Sequence, residues 1–295
     1  MVEKFSLRYA RIIGLVIFYG CRLAMKIAFN CSLPRSGSTL LQNILAQNPR
    51  FYCTPSSGLC DLLTVSRDAF SRVPEVMAQD REEMRKAFLG YCGGAMDGYF
   101  KAITDKEVVI DKSRGWVKDY SWLEQFWPNP KIIVPVRDLR AVLSSMEKRY
   151  QRYPHMQPAD GGDPTGMKMA TLAARVNYWL NCAPVGTSVV RLLGAAERGL
   201  LPKLHIVRYE DLTARPQLVL DGIYDYLEEP RYTHDFTNVK QETSENDNFY
   251  PVYADHVIRQ EVKALPLDYL QVLGKDLCAT IRTHNAKFYS LFYPG

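Results

Sequence analysis

The chain is 295 residues long, with 47% hydrophobic and 23% charged residues. That balance supports a sizeable core and excludes a disordered or collagen-like chain; no run of 18 apolar residues offers a membrane-spanning helix. Lys and Arg outnumber Asp and Glu by 37 to 32, a net charge of +5, and so mild an excess suits an anionic ligand better than the dense basic stripe of a nucleic-acid surface.

In chain order, the first feature is the stretch from Ile12 to Cys21, apolar and flanked by Arg8, Arg11, Arg22 and Lys26. It is too short to cross a bilayer. A membrane-surface or signal-like helix, a helix docked on the core and an extension outside the domain all fit it. Because a strand pattern begins directly after Met25, residues 1–24 are expected as an N-terminal extension and 25–295 as the domain. From there strands and helices alternate. Apolar runs at 26–32, 51–53, 108–111, 131–136 and 204–207 predict strands, and helical periodicity covers 38–47, 59–70, 81–100, 117–127 and 140–150. Residues 157–166, with two Pro and three Gly, form the clearest loop. Beyond it, 168–198 reads as helix interrupted at Pro184-Val185-Gly186, 216–226 as helix, and 265–288 as mostly helical. Strands separated by helices imply an α/β fold, a three-layer sandwich around a parallel sheet of about five strands. The seven cysteines (Cys21, Cys31, Cys53, Cys60, Cys92, Cys182, Cys278) form no C-x-x-C pair, which fits free thiols in a reducing cytoplasm and not a disulfide framework or zinc site.

Pro34-Arg35-Ser36-Gly37-Ser38-Thr39-Leu40 takes the first strand into the first helix. A helix N-terminus presents unpaired N–H groups and partial positive charge, so it suits an anion. Gly37 lets the backbone approach closely, Ser36, Ser38 and Thr39 offer hydroxyls, and Arg35 adds charge. No Lys precedes the Ser/Thr, so this is not a Walker A loop. On its own the segment is also compatible with an ordinary helix start after a turn.

This segment resembles the phosphosulfate-binding loop of sulfotransferases that use 3′-phosphoadenosine-5′-phosphosulfate (PAPS), and its form is similar to that of protein-tyrosine sulfotransferases and their bacterial relatives. Later segments extend the resemblance over about residues 25–263. Val134-Pro135-Val136-Arg137-Asp138 again leads a strand into a helix. Ser145 and Arg149 follow eight and twelve residues after Arg137 and lie about 40° apart on that helix. A guanidinium and a hydroxyl suit a phosphate monoester, and the resemblance assigns Arg137, Ser145 and Arg149 to the 3′-phosphate. It also assigns Lys112, at the end of the third strand and 25 residues before Arg137, to charge stabilisation during transfer alongside Arg35. Tyr209, in Tyr209-Glu210-Asp211-Leu212, is placed near the nucleotide, and Arg259, in Asp255-His256-Val257-Ile258-Arg259, in a loop closing over it.

The resemblance thus implies a P-loop-like fold and sulfuryl transfer from PAPS, without a metal, to a hydroxyl or amine on a protein, glycan, lipid or small molecule. Two alternatives remain: a nucleotide kinase or related P-loop phosphotransferase, and a catalytically inactive nucleotide-binding protein. The chain departs from the protein-tyrosine enzymes in two places. The stretch from Phe51 to Gly58 has no carboxylate where those enzymes carry a Glu, and Tyr253 stands where they carry a Ser. Asp61, Asp111 and His155 are candidate replacement bases.

Overall fold

The structure, a computed structural model, describes residues 25–153, 167–249 and 256–294. The 1–24 extension, the 157–166 loop, His155 and Tyr253 lie outside the described residues. Five strands form one sheet: β1 (Lys26–Asn30), β2 (Phe51–Ser56), β3 (Val108–Lys112), β4 (Ile132–Val136) and β5 (Leu204–Arg208). Their order is β2-β3-β1-β4-β5, and every pairing is parallel. Pro135 is tolerated within β4 because pairing to β1 stops at Ile133, where β1 has reached Asn30. Pro55 is tolerated in β2 because that strand lies at the sheet edge, where the register shifts between Cys53 and Ser56.

Successive side chains of a strand point to opposite faces, and this sorts the core into two layers. Ile27, Phe29, Val109, Ile132, Val134 and Val136 pack on one face; Ala28, Val108, Ile110, Ile133 and Val207 pack on the other. The chain between β1 and β4 contributes α1 (Ser38–Leu45), α2 (Leu59–Phe70), α3 (Arg81–Ile103) and α4 (Tyr120–Phe126). Between β4 and β5 lie α5 (Leu139–Arg152), α6 (Leu172–Asn181) and α7 (Val185–Glu197). After β5 come α8 (Tyr209–Ala214), α9 (Pro216–Leu227), α10 (Tyr269–Leu273), α11 (Lys275–His284) and α12 (Ala286–Phe292). Helices α1 and α9 cover the second face through Leu41, Ile44, Leu220 and Ile223, and the longer set from α2 to α7 covers the first. No helix among the described residues is long and apolar enough to cross a membrane.

Three helices differ from expectation. The predicted 117–127 helix starts only at Tyr120, because Trp116 and Val117 turn inward and are buried in the first layer. The break in 168–198 falls at Cys182–Pro184, just before the expected position. The 265–288 segment is cut by Gly274, whose φ of 79° ends α10, and again by Asn285.

β1 lies between β3 and β4, and the chain leaves it first toward β2 and β3, then toward β4. A crevice therefore opens at the carboxyl end of β1, the place where open parallel sheets bind ligands. Two buried polar residues shape this edge. Gln42 of α1 donates to the carbonyls of Thr54 and Ile110 at 2.9 Å each and accepts from Asn30 Nδ2 at 3.2 Å, tying three strand ends to one helix. Asp111 accepts from Trp116 Nε1 at 2.8 Å and Thr54 Oγ1 at 3.2 Å. It is fully buried, so it braces the sheet edge and is not placed to take a proton from an acceptor. Burial raises its carboxyl from 3.8 to about 6, although these hydrogen bonds oppose the shift.

Gln42→Leu strands two carbonyls and an amide in the core, and is expected to lower the free energy of unfolding by about 2–5 kcal/mol, read by equilibrium denaturation; a loss under about 1 kcal/mol would contradict the pinning role. Asp111 holds its proton to higher pH in the folded protein than in the unfolded chain, so it removes stability as pH rises between the two values. From the shift of 3.8 to about 6, the stability advantage of Asp111→Asn over the parent should grow by about 2 kcal/mol between about pH 4.5 and 7. An advantage that does not change with pH would show that the carboxyl stays ionised when folded.

Candidate functional site

The loop leaving β1 is wound so that its backbone faces the crevice. Arg35 and Gly37 both have positive φ, 58° and 81°, and Ser36 Oγ donates to the Leu33 carbonyl at 2.7 Å. Gly37 is the N-cap of α1, and no side chain caps the helix. The first-turn N–H groups are thus left for a ligand. Gly37 is required twice over. Its φ is poorly tolerated by residues with a Cβ, and a Cβ there would lie 2.5 Å from Cδ2 of Tyr209. Tyr209, the first residue of α8, packs its ring against the loop and carries the Arg137 guanidinium 4.3 Å above it.

Arg137 follows β4 and donates through Nη1 to the Arg35 carbonyl at 3.0 Å, while its Nε is buried without a hydrogen-bond partner. Asp138 caps α5 by accepting from the Arg140 N–H at 2.8 Å, which fixes where α5 begins and aims Ser145 and Arg149 into the same cleft. Ser145 does not engage Arg137 directly; its hydroxyl accepts from Arg35 Nε at 3.1 Å. Arg35 therefore links the β1 loop to α5. The cleft has a volume of about 430 Å³ and is lined by Arg35, Gly37, Ser38, Thr39, Arg137, Ser145, Arg149, Tyr209 and Arg259. Ser36, buried beneath the loop, is the one proposed binding residue that does not line it. Arg114, Lys148, Arg152 and Lys263 add cations that the sequence did not mark. Burial, reinforced by the charges of Arg137 and Arg259, pulls the Lys148 ammonium below its ordinary value.

Lys112 closes β3 beside the loop. Its Nζ donates to Glu245 Oε1 at 2.9 Å and lies 3.4 Å from Thr39 Oγ1, with the side chains of Lys112 and Glu245 8% and 4% exposed. Burial draws the ammonium below its ordinary value, and Glu245 opposes that without cancelling it. Glu245 also accepts from the Ser56 N–H at 2.7 Å. The β2 end, which has no carboxylate of its own, thus receives one from 189 residues further along the chain. Beyond Glu245 stands His256, its Nε2 3.5 Å from Glu245 Oε2 and its Nδ1 2.6 Å from Asp247 Oδ1. Sequence reasoning passed over Glu245 and Asp247 and read His256 only as part of a closing loop. No spacing rule connects Lys112 to a carboxylate 133 residues away. Asp61 is exposed on α2 and lines neither this cleft nor the cavity next to it.

The sulfotransferase family matches residues 28–234. Protein-tyrosine sulfotransferase 2 of Gallus gallus is 26% identical over 134 residues, 42% of this chain and 34% of the relative, so the chain spans about a third of that curated relative. Among solved structures, the sulfotransferase domain from the curacin biosynthetic pathway is 20% identical, with a TM-score of 0.53 over 90% of this chain and 99% of that one. Sulfotransferase STF9 from Mycobacterium avium is 15% identical, with a TM-score of 0.50 over 97% and 81%. Likeness at such identities speaks to the fold, which is shared. The family match runs through the β1 loop, Lys112, α5 and Tyr209 and ends before Glu245, Asp247 and His256. Since it takes in well over half of the residues, this chain belongs to the sulfotransferase family.

Proposed function

We propose that this chain transfers the sulfuryl group of PAPS to a hydroxyl or amine acceptor on a protein, glycan, lipid or small molecule. The observation that carries the reading is the meeting of two anion-holding elements in one cleft, joined by the Arg35–Ser145 hydrogen bond. The uncapped α1 N-terminus with Ser38 and Thr39 would receive the 5′-phosphosulfate, and Arg137, Ser145 and Arg149 the 3′-phosphate. The buried, unpartnered Nε of Arg137 is a donor in want of such an acceptor. Tyr209 and Arg259 would bound the nucleotide. Sulfuryl transfer by in-line displacement spreads negative charge over the equatorial oxygens and the leaving phosphate. Lys112, beside Thr39 and dried by burial, is positioned to neutralise that charge, with Arg35 at the other side of the loop. The cysteines among the described residues are free thiols, and the reading places the enzyme in the cytoplasm. A kinase reading is weaker, because the loop carries no Walker-type lysine and the lysine beside Thr39 comes from β3.

The product nucleotide, 3′-phosphoadenosine-5′-phosphate (PAP), should raise the melting temperature well above the shift from equal ATP or ADP, since only the native state binds it and only it carries a 3′-phosphate. Equal shifts with all three would overturn the donor assignment. Arg137→Ala should weaken PAP binding by about 1.5–3 kcal/mol, the range for a charged hydrogen bond. Lys112→Ala should retain PAP binding and reduce turnover by about 10²-fold or more. Because it also strips Glu245 of its cation, it is assayed at temperatures where PAP titration shows it folded. Near-normal turnover by folded Lys112→Ala would remove the lysine from the chemistry.

A further inference from the structure

Building on the sulfuryl-transfer reading, we propose that His256, oriented by Asp247, takes the proton from the acceptor group during transfer. His256 lines both the anion cleft and a second cavity of about 350 Å³, whose wall also carries Gln241, Ser244, Glu245 and Asp247. Its ring therefore stands where the donor space meets a neighbouring space that can hold an acceptor. The ring is tied to the transfer site by contacts running from Thr39 through Lys112 and Glu245 to Nε2.

Asp247 Oδ1, 2.6 Å from Nδ1, accepts the N–H of that nitrogen, and to act as the base His256 must present Nε2 unprotonated when the acceptor binds. Facing it at 3.5 Å is Glu245 Oε2, a buried oxygen with no hydrogen-bond partner among the described residues. A proton on Nε2 is shared with that oxygen, and the imidazolium then lies between two carboxylates. Glu245 itself is a poorer choice of base. Its Oε1 is occupied by Lys112 and the Ser56 N–H. Burial pushes its carboxyl up, but Lys112 more than offsets this and holds it below the ordinary range.

In the step itself, the acceptor oxygen forms a bond to the sulfuryl sulfur as its O–H proton passes to His256 Nε2. The bond between sulfur and the bridging phosphate oxygen breaks, and its electron pair leaves on PAP. His256 later returns the proton to water.

The test has a spectroscopic arm and a kinetic arm, both on the full chain. Nitrogen-15 spectra of histidine-labelled protein, with His256 assigned by its loss in His256→Gln, should show the neutral ring protonated on Nδ1 near pH 7. A neutral ring protonated on Nε2 would overturn the proposal whatever the turnover. In the kinetic arm, PAP release from PAPS is followed with 4-nitrophenol and a tyrosine-containing peptide as probe acceptors. His256→Gln should keep PAP affinity within about twofold while turnover falls by about 10²–10⁴-fold. Asp247→Asn should lower turnover and loosen the preference for the Nδ1-protonated ring in the nitrogen-15 spectra, because the carboxylate that accepts that N–H is lost. Turnover of His256→Gln within about threefold of the parent, or an unchanged tautomer preference in Asp247→Asn, would remove the histidine as base oriented by Asp247. A parent protein that binds no PAP would instead defeat the sulfuryl-transfer reading, an outcome separate from failure of the histidine. If the parent binds PAP but uses neither probe, the tautomer alone decides.

Discussion

Like charge concentrated at one edge of the sheet is the constraint around which the rest of the structure is arranged. Arg35, Arg114, Arg137, Lys148, Arg149, Arg152, Arg259 and Lys263 line a single cleft, whose opposing carboxylates among the described residues are Glu261 and Asp268. The positive end of α1 points into the same space. Such a cluster repels itself, and it is held together by backbone geometry and by hydrogen bonds between its members. Arg137 donates to the Arg35 carbonyl, Arg35 to Ser145, and the Tyr209 ring carries the Arg137 guanidinium. A ligand with two separated anionic groups would relieve part of that repulsion.

A second constraint is the buried Lys112–Glu245 pair. An ammonium as deeply buried as Lys112 is tolerated only with a partner, and removing one member of a buried pair costs about 3–5 kcal/mol. The partner comes from the long segment after α9, which returns across the sheet edge. Asn43 Oδ1 accepts from the N–H groups of Glu242 and Thr243 at 2.6 and 2.8 Å, and Val239 N–H reaches the Gln260 carbonyl at 2.7 Å. These contacts set Glu245 against the β2 end and bring His256 beside it. The same segment thus stabilises the lysine and supplies the groups around the adjoining cavity. This joins folding to chemistry at one point.

The C-terminal helices hold the cleft from behind. Tyr289 of α12 donates to Asp138 at 2.9 Å, and Tyr293 donates to Glu210 at 2.9 Å, while Glu210 accepts from the Asp138 N–H at 3.1 Å. Asp138 also takes both branches of Arg140. Burial would raise the Asp138 carboxyl, but Arg140 outweighs it and holds the group below the usual carboxylate range. The junction of β4 and α5, and with it the placement of Ser145 and Arg149, therefore depends on residues about 150 positions later in the chain.

The order of strands and helices and the two strand-to-helix loops were legible because they rest on local signals. Apolar β-branched runs define β3 and β4, and Gly37 marks the turn into α1. Ser145 and Arg149 share a face of α5 because a helix has a fixed angular repeat, and Arg137 stands just before that helix. Local periodicity placed α2 at 59–70, the bounds observed, but it ran on through Gly274 and Asn285, where backbone conformation at single residues breaks the tail. What the sequence could not decide was which distant groups become neighbours. Glu245 meets Lys112, Asp111 sinks to the sheet edge under Trp116, and Arg35 turns to Ser145, because burial and packing bring together residues that no spacing connects. Local chemistry determined the scaffold and the two strand-to-helix loops; the environment of the lysine, and of the histidine beyond it, was decided by tertiary packing, since a buried charge takes its partner from whatever chain the fold brings past it.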